Sequence, residues 1–318
     1  MTLSRAQFAL NAIQWINIKE DPNDPTSADL WLYGEPSFVE DYPSVLKQIK
    51  AAGFDAVMME VLATQTLQNY ANMVEDAELR LAPGYAMAKL PSDYLLEVKR
   101  GSREWAHWFD GVRRKAEETN YFGLSTIFLA PEMGWQPTMN RVNKAAAVGA
   151  DFDQERLNNV VEMLTEACEI FRSEGIRPGL HNHVGTWVET RQEIDYVMEN
   201  IDNSLLGASF DIGHLEWAGI DSVEMLGKYS DRIVDLHFKD LNLDVAKASR
   251  ENPTDYSTTS NRGLFAEPGL GQVNLDAVLG ALPAQFPGWI IIEVDRATMD
   301  PYQSALHTAD WLRENIPA

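Results

Sequence analysis

The sequence predicts an α/β fold of the TIM barrel type, a single (β/α)8 domain over residues 1–318. Short apolar runs alternate with helical patterns along the whole chain, which predicts parallel strands joined by helices. The alternation repeats eight times, and a barrel of eight such units needs roughly 250 residues or more. No glycine-rich dinucleotide fingerprint follows a strand, which counts against the competing doubly wound sheet.

The first half of the chain supplies four of the eight units. Strands are predicted where apolar and β-branched residues cluster, at residues 8–15, 54–61, 79–85 and 123–130. Helices are predicted at residues 39–52, 64–76, 102–120 and 152–173, and Gly53 ends the first of them. The polar stretch near residues 16–37 is predicted to be a loop insertion covering one end of the barrel.

The second half repeats the same alternation. Its strands are predicted at residues 177–183, 205–211, 232–238 and 289–293, and its helices at 190–200, 222–229, 275–282 and 301–315. A long polar segment at residues 241–272 interrupts the rhythm and is predicted to be a second loop insertion. Such insertions would enlarge a pocket or form a subunit contact, and a homo- or hetero-oligomer is therefore a possible assembly.

Charge and composition exclude several classes of protein. The net charge of −22 argues against a nucleic-acid partner, because neutralising phosphates requires a basic face. The single cysteine, Cys168, excludes an intramolecular disulfide framework and fits a reducing compartment. No apolar run reaches 18 residues, so no membrane segment is expected. These features together predict a soluble, cytoplasmic protein.

Polar residues close four successive strands of the second half. The fifth strand ends in His181 and His183, which point to the same face because they are two residues apart. The next three end in Asp211, His237 and Glu293. Active sites of such barrels lie at the carboxyl ends of the strands. Nitrogen and oxygen donors converging there predict a site for a borderline divalent metal ion.

Five segments of the chain resemble a known family. They lie at residues 180–186, 210–219, 232–240, 265–271 and 289–293, the fourth being a Pro-Gly-x-Gly turn. They are similar to segments of the xylose-isomerase-like TIM barrels, and most to the inosose dehydratase and sugar phosphate isomerase/epimerase branch. The close similarity covers about residues 177–295, whereas the first half matches only in its rhythm of strands and helices.

The resemblance implies one bound divalent metal ion, manganese foremost, with cobalt, iron, zinc or magnesium as alternatives. Its ligands would be His181, Asp211, His237 and Glu293. Many relatives carry Glu-Asn-His where this chain has His181-Asn182-His183, and the inosose dehydratase branch tends to carry the histidine, as this chain does. Whether His181, His183 or Glu189 completes the set is open; His181 is the prediction, with His183 facing the substrate.

The resemblance also implies removal of a proton next to a carbonyl, followed by elimination of a β-substituent. The expected substrate is a keto-cyclitol, a 3-keto-sugar or a 3-keto-glycoside, including C-glycosides. Glu293 would act as ligand and acid/base, and His183 as the opposing acid or base. Lys239 would hold substrate oxygens or assist the leaving group.

Further residues near strand ends are candidates for substrate contacts. Glu60 closes the second strand and could bind hydroxyls, His214 would reach the same rim, and Arg296 could meet an anion. Sugars stack on aromatic rings, and the aromatic candidates at this end are Trp15 and Trp217, with Tyr85, Trp135 and Trp187. No glycine-rich phosphate loop is present, which favours a non-phosphorylated polyol.

Two other functions compete with the lyase. One is a metal-dependent isomerase or epimerase acting on a non-phosphorylated ketose without net elimination. The other is a non-catalytic barrel that serves as a subunit of a larger assembly, which only the departure at His181 supports.

Overall fold

Eight parallel strand positions close into a barrel in the computed structural model of the protein, which describes residues 3–16, 36–133 and 139–318. The strands are β1 (Phe8–Leu10), β2 (Ala56–Met58), β3 (Arg80–Ala82), β4 (Tyr85–Ala88), β5 (Thr126–Pro131), β6 (Arg177–Leu180), β7 (Gly207–Ala208), β8 (Leu236–Phe238), β9 (Asp240–Leu241), β10 (Phe265–Ala266) and β11 (Ile290–Ile292).

Two parallel sheets make up the barrel wall. One has the order β3-β2-β1-β11-β8 and the other β4-β5-β6-β7. Parallel bridges from Ala208 to Ile233 and from Asp211 to His237 join β7 to the chain that enters β8. The third predicted strand is split, so that β3 pairs with β2 and β4 pairs with β5. The predicted TIM barrel is confirmed, with this strand broken in two.

Helices follow the strands and cover the outside of the wall. They are α1 (Pro36–Ala52), α2 (Leu67–Asp76), α3 (Arg103–Trp108), α4 (Asp110–Tyr121), α5 (Asn140–Asn143), α6 (Gln154–Ser173), α7 (Arg191–Asn200), α8 (Ile212–Trp217), α9 (Ser222–Lys228), α10 (Leu243–Glu251), α11 (Tyr256–Asn261), α12 (Leu275–Ala281) and α13 (Pro301–Asn315). The helix predicted over residues 301–315 matches α13, whereas the predicted strands are longer than the observed ones.

The predicted loop insertion at residues 241–272 is wrong as to its structure. It contains α10 and α11, and β9 pairs antiparallel with β10 across it. Its polar composition has two sources: α10 exposes several of its residues, and α11 buries small polar residues. Most of the other predicted insertion, residues 17–35, lies outside the described residues.

The core has two layers because successive side chains of a strand point to opposite faces. Inside the barrel, Ala56 and Met58 of β2 contact a small cluster with Ala82, Phe128 and Ile291. Alternate residues such as Val57 face outward into the larger core between sheet and helices. This arrangement leaves the strand ends above the inner cluster for polar groups.

Two expectations from composition can be compared with the structure. Cys168 is fully buried in α6, as expected of a core residue, and burial raises the pKa of its thiol. Across the described ranges, every helix is too short or too polar to traverse a lipid bilayer.

We expect Gly179→Ala to lower the free energy of unfolding by about 2 kcal/mol, because overpacking typically costs about 1–3 kcal/mol. A Cβ at Gly179 would lie 1.9 Å from Ser209 Oγ and 2.9 Å from the Ser209 main-chain nitrogen. Gly111→Ala in α4 is the control, because its Cβ would meet nothing within 4 Å. Urea denaturation should show a loss for the first variant and no loss for the second; equal midpoints would contradict the prediction.

Candidate metal and active site

Four polar side chains from successive strand ends converge above the barrel interior. Asp211 Oδ2 lies 3.8 Å from His181 Nε2 and 3.6 Å from His237 Nδ1. His237 Nδ1 in turn lies 2.5 Å from Glu293 Oε2. All four residues are buried. The structure therefore brings together the four residues that the sequence predicted as metal ligands. We refer to these four side chains as the metal cluster.

Main-chain contacts fix the position of Asp211. Its Oδ1 accepts a hydrogen bond from the His214 N–H at the start of α8, as an N-cap residue does. Asn182 Nδ2 donates to the Asp211 carbonyl, and Asn182 Oδ1 accepts from the Asp211 N–H. Because capping occupies Oδ1, Oδ2 is the oxygen left to point at His181 and His237.

The donor atoms suit a divalent metal ion. Asp211 Oδ2, Glu293 Oε2 and both ring nitrogens of His237 are buried, and in the described structure none has a partner with hydrogen-bond geometry. The contacts of the two carboxylate oxygens with His237 and Lys239 are ion pairs. Buried polar atoms normally make hydrogen bonds, so a group of buried ligand atoms that make none is what a metal-binding site would present. His181, Asp211 and His237 offer ligand atoms within 4.8 Å of one another. Two imidazoles and two carboxylates match the preferences of borderline divalent ions.

Electrostatics keep the carboxylates of this cluster charged. Burial alone would raise the pKa of Asp211, but the Lys239 ammonium and the neighbouring histidines together hold it well below its usual value. Burial also raises the pKa of Glu293, whereas Lys239 and His237 lower it, and the net pKa is lowered. Two anionic oxygens are thus available at neutral pH, as metal binding requires.

Three residues were alternatives for the fourth ligand position, and the structure separates them. His181 lies in the metal cluster. Glu189 points away: its carboxylate accepts hydrogen bonds from the main-chain N–H groups of Gly185 and Gly149. The His183 ring lies 5.8 Å from the His181 ring, centroid to centroid. This placement favours His181 as the ligand and leaves His183 beside the cluster.

His183 is held in one tautomer. Its Nδ1 lies 2.7 Å from the Val184 carbonyl oxygen, which can only accept, so Nδ1 carries the proton. Burial, with Lys239 second, lowers the pKa of His183 to about 4. The ring is therefore neutral at pH 7, and its Nε2 has the lone pair of a base.

Lys239 and His214 complete the polar lining. Lys239 Nζ lies 3.0 Å from Asp211 Oδ2, 3.5 Å from Glu293 Oε2 and 3.3 Å from His214 Nε2. Gly213 lets the lysine pass, because a Cβ there would lie 2.7 Å from Lys239 Cβ. Burial disfavours the ammonium, but the carboxylates of Asp211, Asp295 and Glu293 together more than compensate, and the net pKa of Lys239 is raised. The predicted positions of Lys239 and His214 beside the ligands thus fit the structure.

Other predicted substrate-binding residues lie elsewhere. Trp217 is fully buried and its Nε1 donates to Ser249 Oγ, and its contact with substrate stays a prediction. Trp15 is half-buried and donates to Gln48 in α1. Glu60 lies 3.7 Å from Lys115 of α4. Arg296 is half-buried beyond Glu293, and its contact with an anion stays a prediction, as do the roles of Trp15 and Glu60.

Several of the other aromatic candidates also have defined positions. Tyr85 contacts His181 edge-on at 4.9 Å between ring centroids. Trp187 is buried between Arg141 and Arg156, and its Nε1 donates to Asp93. Trp135 lies outside the described residues.

Sequence reasoning missed three residues of the site. Asn182 positions Asp211, as described above. Asp295 lies 2.7 Å from Lys239 Nζ and accepts a hydrogen bond from the Tyr256 hydroxyl. Asp295 follows Glu293 by two residues and would share its face if the strand continued, which was a usable signal. Tyr256 belongs to the segment predicted as a loop, and nothing local distinguishes it.

The Pro-Gly-x-Gly turn has a structural explanation. The carboxylate of Asp240, the residue after Lys239, accepts hydrogen bonds from the N–H groups of Gly269, Gly271 and Val273. A Cβ at Gly271 would lie 2.1 Å from Asp240 Oδ1. The turn therefore wraps around Asp240 and fixes the chain that carries Lys239.

A buried ion pair supports the loop after His183. Arg141 donates to both carboxylate oxygens of Glu193, at 2.6 and 3.0 Å, and to the Thr186 carbonyl at 2.8 Å. Arg141 is 1% exposed, so the pair is shielded from solvent. We expect Arg141→Met to cost about 3–5 kcal/mol, because it leaves a buried carboxylate unpaired.

Lys247→Met is the matched control for this prediction. Lys247 forms an exposed pair with Glu251 at 3.8 Å, and such pairs contribute about 0–1 kcal/mol. Urea denaturation of both variants measures the difference. Similar losses in the two would show that burial does not strengthen the dependence on the Arg141 pair.

Comparison with known proteins adds sequence relatives. A family model described as xylose isomerase-like TIM barrel matches residues 46–315. An inosose dehydratase of Geobacillus kaustophilus (strain HTA426) is 30% identical over 273 residues, covering 84% of this chain and 85% of that protein. For an inosose dehydratase of Geobacillus thermodenitrificans (strain NG80-2), identity is 31% over 51% of this chain and 56% of that protein.

Solved structures share the fold at lower identity. A xylose isomerase-like TIM barrel protein from Mycobacterium smegmatis in complex with magnesium superposes with a TM-score of 0.64 and 14% identity, covering 98% of each chain. The probable 3-DHS dehydratase involved in petrobactin synthesis from Bacillus anthracis has a TM-score of 0.63 and 15% identity, covering 97% of this chain and 99% of that chain. Both structures share the TIM-barrel fold with nearly the whole of this chain.

Proposed function

Since this chain belongs to the xylose isomerase-like TIM barrel family, we propose that the metal cluster is the active site of a metal-dependent dehydratase. The substrate class is a keto-cyclitol, a 3-keto-sugar or a 3-keto-glycoside. One observation carries the proposal: the similarity to an inosose dehydratase spans 85% of that protein, and this chain has buried nitrogen and oxygen donors at its barrel mouth. Chemistry at a carbonyl requires stabilisation of negative charge there, which such a site provides.

His181, Asp211, His237 and Glu293 would hold the divalent ion. When bound, the ion supplies Lewis-acid stabilisation of the negative charge that develops on the substrate carbonyl. Manganese is the proposed ion, supported by a donor set of two imidazoles and two carboxylates, with cobalt, iron, zinc and magnesium as alternatives.

His183 is the proposed base. Its Nδ1 is committed to the Val184 carbonyl, so Nε2 can accept the proton from the carbon next to the carbonyl. The C–H electron pair then forms the new double bond as the bond to the β-oxygen breaks. The departing hydroxyl needs one proton to leave as water, and the Lys239 ammonium is placed to supply it.

The remaining lining orients the substrate. His214 contacts Lys239 through its Nε2, and its ring lies 3.8 Å from the His183 ring, centroid to centroid. Both histidines are buried, so substrate hydroxyls that bind here would replace water. A non-phosphorylated polyol suits this lining, since the carboxylates accept hydrogen bonds from hydroxyls and a neutral histidine can donate or accept one.

The test is incubation of Mn²⁺-loaded protein with scyllo-inosose and, separately, with 3-keto-glycosides. We expect an enone absorbance or a released aglycone, and we expect a chelator to abolish it. Conversion of ketoses to their C3 epimers without elimination would overturn the lyase in favour of the epimerase. A protein that turns over neither class would leave the non-catalytic subunit as the explanation.

We also propose a cytoplasmic location. The single cysteine is buried and unpaired as a free thiol, which suits a reducing compartment.

A further inference from the structure

Three buried side chains, joined by one hydrogen bond and one ion pair, form a line that ends at the metal cluster. The Tyr256 hydroxyl donates to Asp295 Oδ2 at 3.2 Å, and Asp295 Oδ1 lies 2.7 Å from Lys239 Nζ. Each of the three residues is at most 1% exposed. The line is therefore part of the interior of the site and not of its solvent-exposed rim.

Lys239 shares its carboxylate partners with the proposed metal ion. Its Nζ lies 3.0 Å from Asp211 Oδ2 and 3.5 Å from Glu293 Oε2. Both of these oxygens belong to the metal cluster, so Lys239 forms ion pairs with the same atoms that would bind the metal ion. An ammonium and a divalent cation would therefore compete for the same two oxygens.

Asp295 gives Lys239 a carboxylate outside the metal cluster. Its Oδ1 is the nearest of the three carboxylate oxygens to Lys239 Nζ. Opposite charges attract strongly at this separation in a buried site. We propose that Asp295 is a positioning residue that draws the Lys239 ammonium away from Asp211 and Glu293, so that a metal ion can occupy their oxygens.

Tyr256 fixes Asp295 in this role. Its hydroxyl bonds Oδ2, which leaves Oδ1 directed at Lys239. Tyr256 begins α11, and its ring lies parallel to that of His183, with 5.9 Å between centroids and 7° between planes. The segment at residues 241–272 therefore contributes a side chain to the active site. This inference rests on the proposed function insofar as it assumes a metal ion at the cluster.

The test measures Mn²⁺ affinity in Asp295→Asn, in Lys239→Met and in the double variant. We expect Asp295→Asn alone to weaken binding about 10-fold, since outer-shell changes typically cost about 10–100-fold. In the Lys239→Met background the same change should cost less than about threefold, because no ammonium remains to compete. Equal fold-changes in the two backgrounds would overturn the inference, since they would show that Asp295 acts only through its charge.

Tyr256→Phe serves as the milder variant if Asp295→Asn does not fold. It removes only the hydroxyl, and we expect it to weaken Mn²⁺ binding about threefold in the wild-type background and not at all beside Lys239→Met. A threefold loss in both backgrounds would contradict the positioning role. Thermal unfolding of each metal-free variant establishes that it is folded before binding is measured.

The chain offers a matched control far from the site. Lys228 Nζ lies 2.9 Å from Asp195 Oδ1, and the Tyr229 hydroxyl donates to the same carboxylate at 2.8 Å. We expect Asp195→Asn and Tyr229→Phe to leave Mn²⁺ affinity unchanged.

The binding measurement needs no substrate, so the two proposals can fail separately. If Asp295→Asn weakens Mn²⁺ binding less in the Lys239→Met background but the wild-type protein dehydrates no substrate, only the proposed function would be contradicted. Dehydration with equal fold-changes in both backgrounds would contradict only the positioning role. A wild-type protein that binds no Mn²⁺ would overturn both.

Discussion

Asp211→Asn is expected to abolish metal retention and turnover together. Its Oδ2 lies 3.8 Å from His181 Nε2 and 3.6 Å from His237 Nδ1. An amide there removes an anionic ligand, and Lewis-acid stabilisation is worth several kcal/mol. A loss of about 4 kcal/mol corresponds to about 10³-fold in kcat/KM. Metal analysis of the purified variant and its rate of enone formation measure the two effects.

Asp221→Asn is the control for this substitution. Asp221 caps α9 by accepting from the Glu224 N–H, as Asp211 caps α8, but Asp221 is exposed. Asn is an equally good N-cap residue, so neither variant should lose helix stability. An Asp211→Asn protein that keeps its metal and its activity would exclude this aspartate as a ligand.

His183→Gln is expected to lower kcat by about 10²–10⁴-fold, the usual contribution of a general base, while the metal ion stays bound. His183 lies beside the metal cluster, and its Nδ1 bonds to Val184. His181→Gln should instead reduce metal content, because His181 lies within the cluster. The two variants therefore assign separate tasks to histidines only two residues apart.

His107→Gln provides the control, since His107 is an exposed histidine of α3 whose Nδ1 lies 3.3 Å from Asp110. Its metal content and kcat should equal those of the wild type. Loss of metal in His183→Gln, with retention in His181→Gln, would reverse the assignment of the two histidines.

The ligand positions could be predicted from the sequence because they follow a general rule of parallel barrels. Side chains just past the strand ends share one mouth, so His181, Asp211, His237 and Glu293 could be grouped without knowing the contacts between them. The eight-unit alternation likewise predicted the barrel. Strand ends were less accurate, since β6 ends at Leu180 and the histidines follow it.

Other features depend on tertiary contacts that local patterns do not encode. Trp217 follows Asp211 closely in sequence, but α8 turns its ring into the core, where Tyr256 and Phe265 contact it. Tyr256 reaches Asp295 across 39 residues of chain. Its segment has the composition of a polar loop because α10 and α11 are short helices rich in polar residues, and those of α11 are mostly buried.

The close approach of Gly213 to Lys239 restricts which residues related sequences can have at position 213. Any side chain at position 213 would meet the Cβ of Lys239, which a change of rotamer cannot move. Glycine should therefore be kept at position 213 wherever position 239 carries any residue with a Cβ, whether or not that residue is cationic. A sequence with a larger residue at 213 should show a shifted backbone in one of the two segments.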